Sequence, residues 1–222
     1  MTLYRNNHQT MLLDIHTHRL PSSASSVILS CSMWNTPIPN ETVFLSASIH
    51  PWYVSEADYK DQLEWVRTMA ATDTRTIAIG EAGLDKLCQT PFELQLNVFR
   101  EIIPIAEQYR LPLILHAVKT TNELIALKKE YCPHSAWIIH GFRGKRELAQ
   151  TLVRQGFYLS FGSKYNHEAL QSIPNDRILI ETDEDEQSVH SLYQEAASLL
   201  HTTEEELKDR VQTTINQLFF SR

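Results

Sequence analysis

The feature that most constrains the fold of this chain is a recurrence. Eight short runs rich in Val, Ile and Leu follow one another, each carrying a polar residue at or near its end: MLLDIH (11–16), SVILS (26–30), TVFLSAS (42–48), TIAIGE (76–81), PLILH (112–116), AWIIH (136–140), FYLSF (157–161) and RILIET (177–182). Runs of this length and composition read as buried strands. Between the later ones lie stretches of helical period, at 56–70, 92–109, 121–130, 145–154 and 189–201, with a last one at 203–218. That last helix opens Thr203-Glu204-Glu205-Glu206, a capping box. Near-continuous apolar strands alternating with helices predict a parallel sheet covered by helices. Eight of them predict closure, hence an α/β fold of the TIM-like (β/α)8 barrel type. An open doubly wound sheet is the alternative, but it needs no eighth strand, and no glycine-rich phosphate loop follows the first run. The connections at 19–25 and 31–41 look too short or too broken for full helices, so the expected barrel is compact, with short loops after its first two strands. No repeat or linker divides the chain, and residues 1–222 read as a single domain.

Composition narrows the function. With 20 Lys and Arg against 27 Asp and Glu, the formal net charge is -7, which argues against coating nucleic acid or anionic membrane by bulk attraction. No stretch supplies the roughly 18 apolar residues of a membrane span, and the N-terminal segment carries no export signal. The three cysteines, Cys31, Cys88 and Cys132, are widely spaced without a CxxC pair, and a reducing cytoplasm is the expected compartment. No protein partner can be read from the chain.

Placement makes the histidines informative. Asp14-Ile15-His16-Thr17-His18 ends the first strand, Glu81 the fourth, His116 the fifth and His140 the sixth, and Asp183 follows the eighth. In a parallel barrel the C-terminal strand ends meet on the face that carries the active site. Residues two apart on a strand share a side, so His16 and His18 can both face inward. Four imidazoles and two carboxylates without thiolate suit zinc, manganese or iron, with magnesium possible where carboxylate and water dominate. Six donors exceed the need of one tetrahedral ion, which points to two divalent ions about 3.5–4 Å apart bridged by a carboxylate, for which Glu81 is the candidate. Two dications less two carboxylates leave a charge of about +2, suited to a phosphodiester.

Residues around these donors have expected roles too. Asp14 and Glu181 stand two positions before His16 and Asp183, so strand parity turns them into the barrel, where they are expected to orient ligand imidazoles through the nitrogen not bound to metal. His50, in SIHPW, either touches a substrate phosphate or caps Pro51 and Trp52. Lys119, Arg143, Lys145, Arg146 and Lys164 follow strands five to seven and would form a positive arc on the active face. Arg143 is the best candidate for a phosphate contact, with Lys145 beside it. His8, His134, His167, His190 and His201 are assigned no chemistry.

The motifs DIHTH, SIHPW, AIGEAGLD, PLILH, IIHGF, YLSFG and ILIETD, in this order, resemble the TatD-related family of metal-dependent hydrolases and deoxyribonucleases, in the wider amidohydrolase superfamily. The resemblance runs from residue 12 to about 185, and NQLFF resembles the family's closing helix. It implies a TIM-like barrel in which His16, His18 and Asp183 hold one ion, His116 and His140 the other, and Glu81 lies between them. It also implies hydrolysis of phosphodiester bonds in DNA. Two departures stand out: Gly141 replaces the Cys that commonly follows the sixth motif's His, and Glu184-Asp185-Glu186 replaces a small residue and Pro after Asp183. The acidic loop would repel a polyanion.

The expected reaction is attack on phosphorus by a water activated between two metals, with Asp183 accepting its proton or orienting it and Glu81 serving as bridge. Two rivals share the barrel: a metal-dependent hydrolase of a small amide, lactone or deaminase substrate, and a noncatalytic binding barrel that keeps metal for stability.

Overall fold

The computed structural model describes residues 12–20, 26–34 and 44–221. All eight expected strands are present: β1 Asp14–Thr17, β2 Val27–Ser32, β3 Phe44–Ser48, β4 Thr76–Asp85, β5 Leu113–Val118, β6 Trp137–Ile139, β7 Tyr158–Phe161 and β8 Ile178–Ile180. Each pairs in parallel with the next, in the order β1 to β8. Just beyond β8 the ring closes onto β1. Asp183 N–H donates to His16 O at 2.9 Å and His18 N–H to Asp183 O at 3.1 Å. The α/β barrel is therefore of the TIM type, and the C-terminal ends of its strands form one face.

The helices are α1 Tyr59–Thr72, α2 Phe92–Tyr109, α3 Thr121–Tyr131, α4 Arg146–Arg154, α5 His167–Gln171, α6 Val189–Leu199 and α7 Glu204–Ile215, the last running into a π turn at Asn216–Phe220. They cover the barrel because each keeps an apolar stripe. In α2 the buried residues Val98, Phe99, Ile102, Ile103, Ile105 and Ala106 recur at helical spacing, while Pro104 lies on the exposed side. The capping box of α7 forms as expected, with Glu206 N–H on Thr203 Oγ1 and Thr203 N–H on Glu206 Oε2, both at 3.2 Å. Helix α5 was not expected; at five residues, opened by Asn166 accepting from Ala169 N–H, it is too short to show a period. The loops expected to be short after β1 and β2 lie mostly outside the described residues. Among the described residues no helix is long and apolar enough to cross a membrane.

β4 positions the site. It continues four residues past its expected end at Glu81, and all ten of its residues are buried. Gly83 permits this extension. It is registered against His116 of β5 with φ +143, and a Cβ there would meet His116 O at 2.2 Å. Only glycine allows both the conformation and the approach.

Candidate metal centre

Five imidazoles converge on the Glu81 carboxylate at the C-terminal face. Oε2 lies 3.3 Å from His16 Nε2 and 3.1 Å from His18 Nε2. Oε1 lies 3.1 Å from His50 Nε2, 2.5 Å from His116 Nδ1 and 2.6 Å from His140 Nε2. Asp183 completes the cluster, its Oδ1 3.8 Å from His16 Nε2 and 3.7 Å from His18 Nε2. The structure thus brings together all six residues expected as ligands. It adds a seventh, His50, which sequence reasoning left on the rim because the expected ligand set was already full. Its Nδ1 caps the turn Pro51–Tyr53 by accepting Trp52 N–H at 3.1 Å, so the capping role and the approach to Glu81 coexist on two nitrogens of one ring.

Three overlapping trios place their donor atoms within 4.8 Å of one another: His16, His140 and Asp183; His16, His18 and Glu81; and His50, Glu81 and His116. Nitrogen and carboxylate oxygen in this mixture suit a borderline divalent ion. His16 supplies a further test of fit. It is fully buried, and among the described residues neither of its ring nitrogens makes a hydrogen bond, although Nε2 faces two carboxylates. A buried imidazole nitrogen is rarely left unbonded, and a cation held jointly with those carboxylates would satisfy it. The residues fit a divalent metal.

Electrostatics follow from burial. Desolvation would raise the Glu81 carboxyl, but the charge of His140 and hydrogen bonds from His116 and His140 outweigh it and hold Glu81 well below the usual carboxylate range. Burial would lower His140, yet the charges of Glu81 and Glu181 lift it well above an ordinary imidazole. His18 goes up despite desolvation because Glu81 and Asp183 face it, whereas in His50 desolvation prevails and the imidazole goes down. Asp183 is raised, chiefly by burial. Its φ of +57 is left-handed, a conformation that Asp and Asn tolerate better than other non-glycine residues.

The groups behind the donors divide. Glu181 is fully buried, and its Oε1 lies 3.2 Å from His140 Nδ1 while accepting Gly141 N–H at 2.6 Å. That is the geometry expected of a group orienting an imidazole. Asp14 departs from the expectation. Its carboxylate accepts Thr182 N–H at 3.0 Å, the Thr182 hydroxyl at 2.6 Å and His16 N–H at 3.3 Å, and it meets no imidazole nitrogen among the described residues. Asp14 is buried, but the barrel closure beside β8 presents Thr182 to it. Burial pushes Asp14 up to about 7.

The donors open into a cavity of about 1130 Å³ whose walls include Trp52, Tyr53, Lys119, Arg143 and Glu184. Arg143 is exposed and also borders a smaller hollow of about 370 Å³ with Lys164. Lys145 lines neither; it is the exposed N-cap residue of α4. Sequence reasoning also missed Asp85, at the end of β4, whose Oδ2 lies 3.2 Å from His116 Nε2 and accepts Trp52 Nε1–H at 2.7 Å. The signal was present in AIGEAGLD, but only the extension of β4 past Glu81 brings that carboxylate to the face.

Comparison with known proteins agrees with the fold. A Bacillus subtilis protein named as the uncharacterized metal-dependent hydrolase YabD is 37% identical over 133 residues, covering 56% of this chain and 52% of that protein. The deoxyribonuclease Tat-D of Schizosaccharomyces pombe is 29% identical over 135 residues, covering 57% of this chain and 43% of that one. The match therefore spans about half the length of these relatives. The crystal structure of YjjV, a TatD homologue from Escherichia coli K12, superposes with a TM-score of 0.79 at 18% identity, over 97% of this chain and 100% of that one, and shares the fold. The sequence model described as TatD related DNase matches residues 14–220, nearly the whole chain, and the chain belongs to that family.

Proposed function

We propose that this chain hydrolyses phosphodiester bonds with the help of divalent metal, and that nucleic acid, DNA in the first instance, is its substrate class. The observation that carries the reading is the convergence of His18, His50, Glu81, His116, His140 and Asp183 in an open cavity, with His16 buried behind them and Lys119 and Arg143 in the cavity wall. The name of the fission-yeast relative, a deoxyribonuclease, supports the choice of bond.

His16, His18 and Asp183 would hold one ion, His116 and His140 with His50 a second, and Glu81 would lie between them. Ions bound there would lower the pKa of a water and polarise the phosphoryl oxygen. Asp183 takes the proton of the attacking water, its side chain being partly open to the cavity. Glu181 keeps His140 turned so that Nε2 faces the cluster. Arg143 offers its fork to a non-bridging phosphate oxygen, and Lys119 adds a point charge across the cavity.

One observation favours a second reading. Glu184 lines the same cavity, and Asp185 and Glu186 follow it, which disfavours a long polyanion and suits a small neutral substrate such as an amide or lactone. Bis(p-nitrophenyl) phosphate, single-stranded DNA and a lactone panel, each supplied with Mg2+, Mn2+ or Zn2+, separate the two. Phosphodiester turnover that falls when Arg143 is changed to Ala supports the proposal. Lactone or amide turnover without cleavage of either phosphodiester replaces it.

A further inference from the structure

Asp85 is 3% exposed, and every polar atom it has is engaged. Its main chain is clamped by Gln95 of α2: Asp85 N–H donates to Gln95 Oε1 at 2.8 Å, and Gln95 Nε2 donates to Asp85 O at 3.0 Å. In the carboxylate, Oδ1 accepts Leu87 N–H at 2.7 Å. Oδ2 accepts the Trp52 indole N–H at 2.7 Å and stands 3.2 Å from His116 Nε2. The opposite nitrogen of that ring, Nδ1, stands 2.5 Å from Glu81 Oε1. Glu81 and Asp85 lie on either side of Gly83, the residue registered against His116, and their carboxylates reach the two nitrogens of one imidazole.

An ionised carboxylate accepts and cannot donate, so its bond to His116 requires a proton on Nε2. Nδ1 faces the Glu81 carboxylate and the donor cluster; when a cation takes the place of the proton between them, the single proton left to the neutral ring stays on Nε2, held there by Asp85. We propose that Asp85 is a positioning residue of the metal centre: by accepting the Nε2 proton of His116, it selects the tautomer whose Nδ1 can bind a cation. This rests on reading the donor cluster as a divalent-metal site. Trp52 shares the same oxygen but makes no demand on the tautomer, so its indole steadies the carboxylate without setting the proton.

Asp85→Asn tests the idea with little change of shape. With Leu87 N–H on the amide oxygen, the NH2 group faces His116 and leaves the Trp52 indole N–H without its acceptor, and the amide then draws the imidazole proton to Nδ1. Zn2+ affinity, measured by competition with a chromogenic chelator, is expected to fall about 10–100-fold. Long-range 1H–15N spectra of metal-free protein are expected to show His116 Nε2 protonated in the wild type and deprotonated in D85N. Trp52→Phe is expected to keep both the Nε2 proton and the wild-type Zn2+ affinity. Unchanged affinity in D85N, an equal loss in W52F, or a wild-type His116 without a proton on Nε2 each overturns the proposal. The wild-type spectrum decides by itself if D85N fails to fold. A wild-type protein that takes up no Zn2+ overturns the metal-site reading instead, and the metal-free spectra then still show whether Asp85 sets the tautomer.

Discussion

Glu81 meets five imidazoles, and the balance of charge around it makes the neighbouring residues testable one at a time. Asp183→Asn keeps the left-handed backbone, because Asn also adopts φ near +57, while removing the proton acceptor. We expect an unchanged thermal midpoint and a kcat lower by about 10²–10⁴ on bis(p-nitrophenyl) phosphate at saturating metal. An undiminished kcat would remove Asp183 from its role. Away from the site, Lys128 carries a different kind of strain. Its ammonium lies 5.2 Å from the Trp137 ring centroid and 5.1 Å from that of Phe157, and burial, opposed by the charge of Glu107, brings it down to about 8 from 10.5. The folded pKa is depressed, so between these values the unfolded chain binds the extra proton and stability rises with pH. As pH falls through about 8 that advantage is lost. Lys128→Met should flatten the window, read as thermal midpoint against pH from 7 to 10.5; a slope equal to the wild type's would assign it to other groups.

At the scale of elements, β4 and β5 decide most. Gly83→Ala would place a Cβ 2.2 Å from His116 O at a φ of +143, combining backbone strain with a clash against the main chain of β5. We expect a loss of about 2–4 kcal/mol in urea unfolding together with weaker metal uptake, since the residue that must shift is His116 itself. Unaltered stability would show that β4 and β5 can part without cost. Elements were legible where they repeat or carry a cap. The eight apolar runs marked all eight strands, and Thr203 with Glu206 marked the start of α7. α5 was illegible because five residues show no period, and the extra length of β4 because Gly83 reads locally as a strand breaker. Its tight pairing with His116 appears only when β5 lies alongside.

For the whole molecule, the donors stand on or just past the ends of six strands and span 168 residues, from His16 to Asp183, so metal binding and barrel closure are coupled. An ion that binds only the closed barrel stabilises it by about 2.7 kcal/mol at a hundred times its Kd. For a chain of this length that amounts to roughly 5–11 °C in thermal midpoint. Treatment with a strong chelator followed by desalting should lower the midpoint by that order, and restored Mn2+ or Zn2+ should return it. A midpoint indifferent to metal would mean that the folded barrel gains nothing from filling the cluster.

The sequence by itself determined the strand order, the barrel and the six candidate donors that stand at its strand ends. Each of these follows from a local pattern: apolar period sets the strand, a parallel strand has a defined C-terminal end, and closure gathers those ends. Only the tertiary structure decided what each side chain meets. It brought His50 to Glu81, set Asp85 between Trp52 and His116, turned Asp14 to Thr182 and left Lys145 outside the cavity. Those outcomes depend on register between neighbouring strands and on the direction of individual bonds from Cα to Cβ, and a one-dimensional pattern carries neither.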